Sequence, residues 1–125
     1  MATVGDIMTS GLLSIPADTT VAEAATVMGE RRVGSALIMD GESLSGIFTE
    51  RDIVRALGAH HDAAEHPVSE WMTRDPKTVA STTPVEEALG IMLERGFRHL
   101  PVADGDTVLG IVSMRDLTAA VDGRR

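Results

Sequence analysis

Two short polar motifs with the same spacing contain the residues of this chain that could do chemistry. In each, a glycine is followed after three positions by a hydroxyl residue and after three more by an aspartate: Gly46-Ile-Phe-Thr49-Glu-Arg-Asp52 and Gly110-Ile-Val-Ser113-Met-Arg-Asp116. A strand pattern changes to a helical pattern at the hydroxyl residue. Amides at a helix N-terminus and the hydroxyl could hold a phosphate, while the carboxylate could accept hydrogen bonds from two neighbouring ribose hydroxyls.

The same side chains also suit a structural role at the start of a helix. A Thr or Ser at the cap accepts a hydrogen bond from a free backbone N–H, and an acidic residue in the first turn interacts well with the helix dipole. Motifs this short also arise by chance. The motif alone therefore leaves both interpretations open.

The motif occurs twice because the chain is an internal duplication. Residues 4–57 match residues 68–121 at a constant offset of 64 without a gap, and the identical pairs include Val4/Val68, Met8/Met72, Thr9/Thr73 and Met28/Met92. Half of the chain would be a marginal folding unit that buries only about 60% of its unfolded surface. We therefore expect two repeats, residues 1–61 and 62–125, that share one core and are related by pseudo-twofold symmetry.

Each repeat has the pattern β-α-β-β-α, which predicts an α/β (α+β) fold. The first strands are predicted at 12–15 and 77–80, the hairpin strands at 36–39 with 45–48 and at 100–103 with 109–112, and the last helices at 50–57 and 114–121. An Asp-Gly pair closes each hairpin.

The first helix of each repeat has a start signal and one apolar stripe. Capping boxes are predicted at Thr20/Glu23 and at Thr83/Glu86, the second with Pro84 at the first helical position. The stripes include Met28 and Met92, which we expect in the core.

Composition and charge argue against nucleic acid and membranes as partners. The net charge is −8 and no Lys/Arg stripe offsets it, so we expect neither nucleic acid nor an anionic membrane as a partner. There is no cysteine. We found no secretory signal and no apolar run of about 20 residues, so a cytoplasmic location is the expectation.

The linker between the copies and the missing enzyme motifs argue against metal binding and catalysis. His60, His61 and His66 lie beside Asp62 and Glu65, but nothing in the spacing determines a tetrahedral geometry. We interpret residues 58–67 as a solvated surface linker. No nucleophile elbow, zinc-protease motif or phosphate loop is present, so we do not expect an enzyme.

The combination of features resembles a CBS (cystathionine β-synthase) domain pair, or Bateman module. The resemblance covers nearly the whole chain and depends on the two motifs, the phrase Arg98-His99-Leu100-Pro101-Val102, and the Met-Thr pairs at 8–9 and 72–73. It implies an adenosine-ligand sensor, because family members bind AMP, ADP, ATP, NAD(H) or S-adenosylmethionine in clefts between the two copies. It also implies a homodimer in which four repeats form a disc.

The resemblance also assigns roles to residues. Asp52 and Asp116 would hold ribose hydroxyls, and Thr49 and Ser113 would contact ribose or phosphate. Backbone groups and aliphatic contacts for adenine would come from the first strand of each copy and from the segments at 34–37 and 99–101. The residues concerned include Leu13, Ile15, Ser35, Ala36, Thr78, Val79 and Pro101. The sequence leaves open which copy's strands face which motif.

Phosphate contacts are expected from Arg98 and His99, because so acidic a protein needs a local cation to hold a nucleotide. These positions correspond to Gly34 and Ser35 in the first copy, which predicts two unequal sites. Phosphate contacts from Arg51, Arg55 or Arg115 are a further possibility, with solvated faces or weak ion pairs as the alternative.

Two functions from different classes follow. The first is a regulatory module that binds an adenine nucleotide and signals to an unknown effector protein. The alternative is a ligand-free dimerisation or protein-docking module, which the Gly34/Ser35 pair partly favours.

Overall fold

The computed structural model describes residues 2–122 and divides them into two α/β units. One unit is Leu13–Pro76, and the other consists of the described parts of Met1–Leu12 and Lys77–Arg125. The cuts differ from the repeat bounds at 61/62, because the first residues of each copy belong to the unit formed by the rest of the other copy.

The helices and strands follow the predicted order, except that the predicted strand at 77–80 is only a bridge and that the short helix Val4–Ile7 and the short strand Thr73–Arg74 were not predicted. In chain order they are α1 (Val4–Ile7), β1 (Ser14–Ile15), α2 (Val21–Arg31), β2 (Ser35–Asp40), β3 (Ser43–Thr49), α3 (Glu50–Ala59), β4 (Thr73–Arg74), α4 (Val85–Arg95), β5 (His99–Asp104), β6 (Thr107–Ser113) and α5 (Met114–Asp122). Short 3₁₀ turns at Ala63–Glu65 and Val68–Glu70 precede β4. The mixed fold of tandem β-α-β-β-α repeats is confirmed.

Both units are built around an antiparallel hairpin. In the first unit the sheet order is β1-β2-β3-β4, with β1 parallel to β2 and both β2 and β4 antiparallel to β3. In the second unit β5 pairs with β6, while single bridges Val79–Val102 and Thr9–Ile111 stand where the first unit has β1 and β4. Two-residue turns close the hairpins at Gly41 and Gly105, whose φ values of 61° and 62° suit glycine.

The Met-Thr segment of each copy packs against the motif glycine of the other copy. A Cβ on Gly46 would stand 2.7 Å from Met72 Sδ and 2.7 Å from the Thr73 carbonyl oxygen. A Cβ on Gly110 would stand 2.6 Å from Met8 Sδ and 2.8 Å from the corresponding threonine carbonyl. Each glycine of the motif is therefore required for close packing.

The apolar stripes are buried as predicted. Val21, Ala24 and Met28 are at most 2% exposed in the first unit, and in the second Val85, Ala88 and Met92 are fully buried. The first core also takes in Val68, and the second takes in Val4, both fully buried. Each core therefore combines residues of both copies, but the described residues form two core clusters, and the expectation of one shared core was wrong. The expectation that the methionines of the stripes pack in the core is confirmed.

Three local predictions need correction. The first strand is Ser14–Ile15 rather than 12–15, because only these two residues pair with β2, and 77–80 forms only the bridge at Val79. Helix α4 begins at Val85 with Pro84 at the cap position, so the cap is not Thr83 and Pro84 is not the first helical residue. Thr20 and Glu23 do form the predicted capping box.

The linker prediction was wrong in part. Residues 58–67 do not form a uniformly solvated surface: Ala63 is fully buried and belongs to the first core. The His66 carbonyl accepts a hydrogen bond from the Val21 N–H at 2.9 Å, and the His66 ring lies 2.9 Å from Glu70 Oε2 and 3.4 Å from Asp62 Oδ1. The linker is tied to the start of α2.

Two features are absent from the described residues, a membrane-spanning helix and a cluster of metal-ligating side chains. Between residues 2 and 122 no helix is long and apolar enough to cross a bilayer. Over the same span, no group of three or more His, Asp or Glu side chains is placed to hold a metal ion.

Candidate functional site

The first motif lies where strand β3 ends and helix α3 begins. Thr49 caps the helix with extended backbone, at φ −127° and ψ 169°, and its hydroxyl oxygen accepts a hydrogen bond from the Asp52 N–H at 3.3 Å. Asp52 Oδ2 accepts hydrogen bonds from the Thr49 N–H at 2.9 Å and from its hydroxyl at 3.2 Å. The two side chains thus form a reciprocal capping box.

Asp52 is also held from the side of the helix. Its second oxygen, Oδ1, accepts a hydrogen bond from Arg55 Nη1 at 2.8 Å, and the residue is 6% exposed. Both carboxylate oxygens therefore have a protein partner. A ribose hydroxyl that binds Asp52 has to share an oxygen with Thr49 or Arg55.

The other residues predicted for the first site lie next to the motif. Ser35 is paired in register with Thr49 at the start of β2, and Leu37 N–H donates to the Leu13 carbonyl at 2.9 Å. The structure therefore brings the strands of this copy to their own motif. Leu13, Ile15 and Ala36 are at most 9% exposed and pack in the core, so their backbone is better placed than their side chains to meet a ligand.

The second motif has the same cap with fewer partners. Ser113 Oγ accepts a hydrogen bond from the Asp116 N–H at 3.0 Å, and Asp116 Oδ2 accepts one from the Ser113 N–H at 3.3 Å. Position 119, which corresponds to Arg55, is alanine. Asp116 is half-buried, and within the described residues its Oδ1 has no hydrogen-bond partner.

The residues predicted for the second site also lie in one unit. His99 is paired in register with Ser113, and the Val79 N–H donates to the Pro101 carbonyl at 3.1 Å. Arg98 is exposed, and its carbonyl accepts a hydrogen bond from the Met114 N–H at 2.8 Å. Thr78 and His99 are half-buried, whereas Val79 and Pro101 are buried.

Glu50 is a neighbour of the first motif that the sequence analysis did not assign to a site. It is exposed, and its Oε1 lies 3.1 Å from the point where a Cβ on Gly34 would stand. The second copy has Met114 at the equivalent position. Comparing the residue after Thr49 with the residue after Ser113 would have revealed this difference in charge.

The geometry supports the structural role of the motifs and leaves a ligand role compatible with it. Both pairs cap a helix, as the structural interpretation requires. Each also presents a carboxylate in the first turn of a helix, which is a group that binds ribose hydroxyls. The amides of Thr49, Glu50 and Asp52 already donate within the protein, as do those of Ser113, Met114 and Asp116, so a phosphate at either helix start would have to compete with these bonds.

Known proteins with the same fold include complexes with adenosine compounds. The CBS domain family profile matches residues 4–59 and 68–123. The CBS domain pair of protein MJ0100, in complex with 5′-methylthioadenosine and S-adenosyl-L-methionine, superposes with a TM-score of 0.90 at 27% identity and covers 100% of this chain and 99% of that one. CBSX2 in complex with AMP superposes with a TM-score of 0.83 at 28% identity over 100% of both chains.

A curated relative shows the same similarity in sequence. An uncharacterised 17.7 kDa protein of Acidianus ambivalens is 44% identical over 124 residues, which are 97% of this chain and 74% of that protein. The chain spans only about a fifth of some longer relatives, such as the CBS domain-containing protein CBSCBSPB1 of Arabidopsis thaliana, with 40% identity over 21% of its length. Since a profile match to both copies is joined by close likeness to solved CBS pairs, the chain belongs to the CBS domain family and carries two CBS domains.

Proposed function

We propose that this chain is a regulatory module that binds adenosine compounds and has no catalytic activity of its own. The ligand class comprises AMP, ADP, ATP, NAD(H) and S-adenosylmethionine. The observation that carries the proposal is that both units retain a hydroxyl–aspartate pair at a helix start, in a fold whose solved relatives bind AMP, 5′-methylthioadenosine and S-adenosylmethionine.

In this proposal the aspartates hold the ribose and the helix starts hold the 5′ substituent. Asp52 and Asp116 accept hydrogen bonds from the ribose hydroxyls, and Thr49 and Ser113 contact ribose or phosphate. Backbone groups at Leu13, Ile15, Ser35 and Ala36 border the adenine of the first site, with Thr78, Val79 and Pro101 in the same role in the second. Arg98 and His99 supply positive charge for a phosphate.

The module acts on another molecule in this proposal. We propose a homodimer in the cytoplasm in which ligand binding changes the surface offered to an effector protein that the sequence does not identify. Val54 is 71% exposed and Leu57 is 50% exposed on helix α3, and such apolar side chains favour a contact surface.

A thermal-shift panel tests ligand binding. AMP, ATP, NAD, NADH and S-adenosylmethionine are added to the parent protein and to Asp116→Ala. A ligand at about 100 times its Kd stabilises the fold by about 2.7 kcal/mol, which raises Tm by roughly 10 °C for a chain of this size. We expect at least one compound to raise Tm of the parent and to raise it less in Asp116→Ala.

The control is Asp106→Ala, which removes a carboxylate from the exposed turn between β5 and β6. It should keep the full ligand-induced shift. If no compound shifts the parent, ligand binding is rejected. If Asp116→Ala binds as well as Asp106→Ala, Asp116 is only a helix cap.

The alternative function is a ligand-free dimerisation or docking module, which the exposed Val54 and Leu57 side chains favour. Sedimentation of the parent and of Leu57→Asp, with and without AMP, separates the two functions. A dimer that Leu57→Asp disrupts, in a protein that no adenosine compound stabilises, would support the alternative.

A further inference from the structure

The two sites differ in charge next to the hydroxyl–aspartate pair. In the first unit the Glu50 N–H donates to the Gly34 carbonyl at 3.1 Å, and in the second the Met114 N–H donates to the Arg98 carbonyl at 2.8 Å. The backbone frame is therefore the same in both. The side chains at these two positions differ. The first unit has the carboxylate of Glu50 and a glycine at 34, whereas the second has the thioether of Met114 and the guanidinium of Arg98.

The Glu50 carboxylate stands beside the place that an arginine occupies in the second copy. Its Oε1 is 3.1 Å from the ideal Cβ position of Gly34, so it covers the residue equivalent to Arg98. Glu50 is exposed, and its carboxylate forms no hydrogen bond or ion pair with the other described residues. Its negative charge is therefore not compensated locally.

The arginine nearest the first motif does not reverse this balance. Arg55 forms an ion pair with Asp52 Oδ1 at 2.8 Å, so its positive charge is largely neutralised by that carboxylate. The first site thus has two carboxylates and one guanidinium, and the second has one of each, Asp116 and Arg98. Arg51 and Arg115 are common to both copies and do not distinguish them.

From these differences, and resting on the adenosine-binding function proposed above, we infer that the two sites are specialised by ligand charge. The Ser113/Asp116 site takes adenosine compounds that carry a 5′-phosphate. The Thr49/Asp52 site takes adenosine compounds whose 5′ substituent is uncharged or positive, such as a thioether or a sulfonium. A full charge about 5 Å from a phosphate in a partly solvated site changes affinity by about tenfold or more.

Titrations followed by ¹⁵N–¹H NMR of the full chain test the inference without altering the sites. The probes are AMP, which carries a phosphate, and 5′-methylthioadenosine, which carries a neutral thioether. Amide signals of Ser35 and Glu50 report the first site, and those of His99 and Met114 report the second. We expect AMP to bind the second site at least about tenfold more tightly than the first, and 5′-methylthioadenosine to show a smaller preference or the reverse one.

Two exchanged variants sharpen the test. Glu50→Met should tighten AMP binding at the first site by about tenfold and leave 5′-methylthioadenosine within about twofold. Met114→Glu should weaken AMP at the second site by a similar factor. The matched control is Glu42→Met, which removes a carboxylate of the same unit from the far turn of the β2–β3 hairpin and should change neither ligand.

The outcomes separate this inference from the function on which it rests. If AMP binds both sites equally, or if Glu50→Met leaves the ratio of the two AMP affinities unchanged, charge specialisation is wrong while adenosine binding stands. If neither AMP nor 5′-methylthioadenosine binds either site, the inference is rejected together with adenosine binding by these two classes of ligand. High salt should reduce the difference between the sites for AMP but not for the thioether.

Discussion

The two copies of the motif keep the same cap but hold their aspartates with different strength. Asp52 has partners on both carboxylate oxygens and is 6% exposed, whereas Asp116 is half-buried and bonds only through Oδ2 within the described residues. The partner of Oδ1 depends on one position, which is arginine at 55 and alanine at 119, and the bond from the Thr49 hydroxyl to Asp52 Oδ2 also has no counterpart at Ser113. A shared hydroxyl–aspartate spacing thus does not imply identical sites, because the residue one turn along the helix decides which carboxylate oxygen is left for a ligand.

A second difference between the copies concerns backbone strain. Arg32 ends α2 in the left-handed conformation at φ 55°, and Gly96 ends α4 at φ 75°. Positions 11 and 75 also correspond, and there the first copy has the glycine, Gly11 at φ 71°, while the second has Asp75 at φ 45°. Each copy therefore has one non-glycine residue, Arg32 or Asp75, in a strained left-handed conformation that its glycine counterpart adopts without strain.

The largest expected effect tests whether the two units depend equally on the Met-Thr segments. Gly46→Ala and Gly110→Ala each place a Cβ within 2.8 Å of a backbone carbonyl oxygen, so strand and segment must separate. We expect each to lower the free energy of unfolding by about 1–3 kcal/mol, measured by urea denaturation.

The control for that pair is Gly29→Ala in the interior of α2. No atom lies within 4 Å of the added Cβ, so this variant should stabilise the protein by about 0.5–1 kcal/mol. If Gly110→Ala behaves like Gly29→Ala, the packing of Met8 on the second unit is looser than described.

The next effect compares the two aspartates directly. Asp52→Ala removes a buried cap and leaves Thr49 N–H without its partner, so we expect a loss of about 2 kcal/mol in unfolding free energy. Asp116→Ala should cost about 1 kcal/mol, since fewer bonds are lost. Chemical denaturation of both variants measures the difference, and equal losses would contradict the stronger anchoring of Asp52.

A smaller effect tests the left-handed caps. Arg32→Gly should stabilise the protein by about 0.5–1 kcal/mol, because relief of left-handed strain exceeds the added flexibility of the unfolded chain. Gly96→Ala should have the opposite sign and a loss of about 1 kcal/mol. Thermal unfolding of both variants checks the prediction, and a destabilised Arg32→Gly would mean that the arginine side chain contributes more than its backbone costs.

The smallest effect is a pH dependence that only one copy should show. His66 corresponds to Ala2, and the carbonyls of both accept a hydrogen bond from the first residue of a helix, Val21 or Val85. Burial acts to lower the pKa of His66, but the nearby carboxylates of Glu70 and Asp62 outweigh it and raise the pKa above its usual value. The charged imidazole therefore favours the folded state.

The sign of the pH effect follows from that raised pKa. The stabilisation that charged His66 adds to the folded state is fully present below the pKa of about 6.5 that histidine has in the unfolded chain. It is lost as pH rises through the higher pKa of His66 in the folded state. We expect the free energy of unfolding to fall between about pH 6 and pH 8 in the parent and to fall less in His66→Gln. A parent curve that rises over this range relative to His66→Gln would contradict the pairing.

The sequence alone determined the repeat, the order of elements and the residues of the motif. These are local or periodic properties: a constant offset of 64 reveals the duplication, Met28 and Met92 follow the spacing of one helix face, and Asp-Gly marks each hairpin. Thr20 with Glu23 likewise predicted a cap from four residues.

Only the tertiary structure decided which segments belong to which unit and what surrounds each aspartate. Nothing in the order of residues places Met72 against Gly46, or buries Ala63 in a polar linker, because those contacts join parts of the chain that are distant in sequence. The same holds for Glu50 beside Gly34. The sequence determines the charge of a side chain, but the effect of that charge on a site depends on its distance from the site and on its burial, which the fold determines.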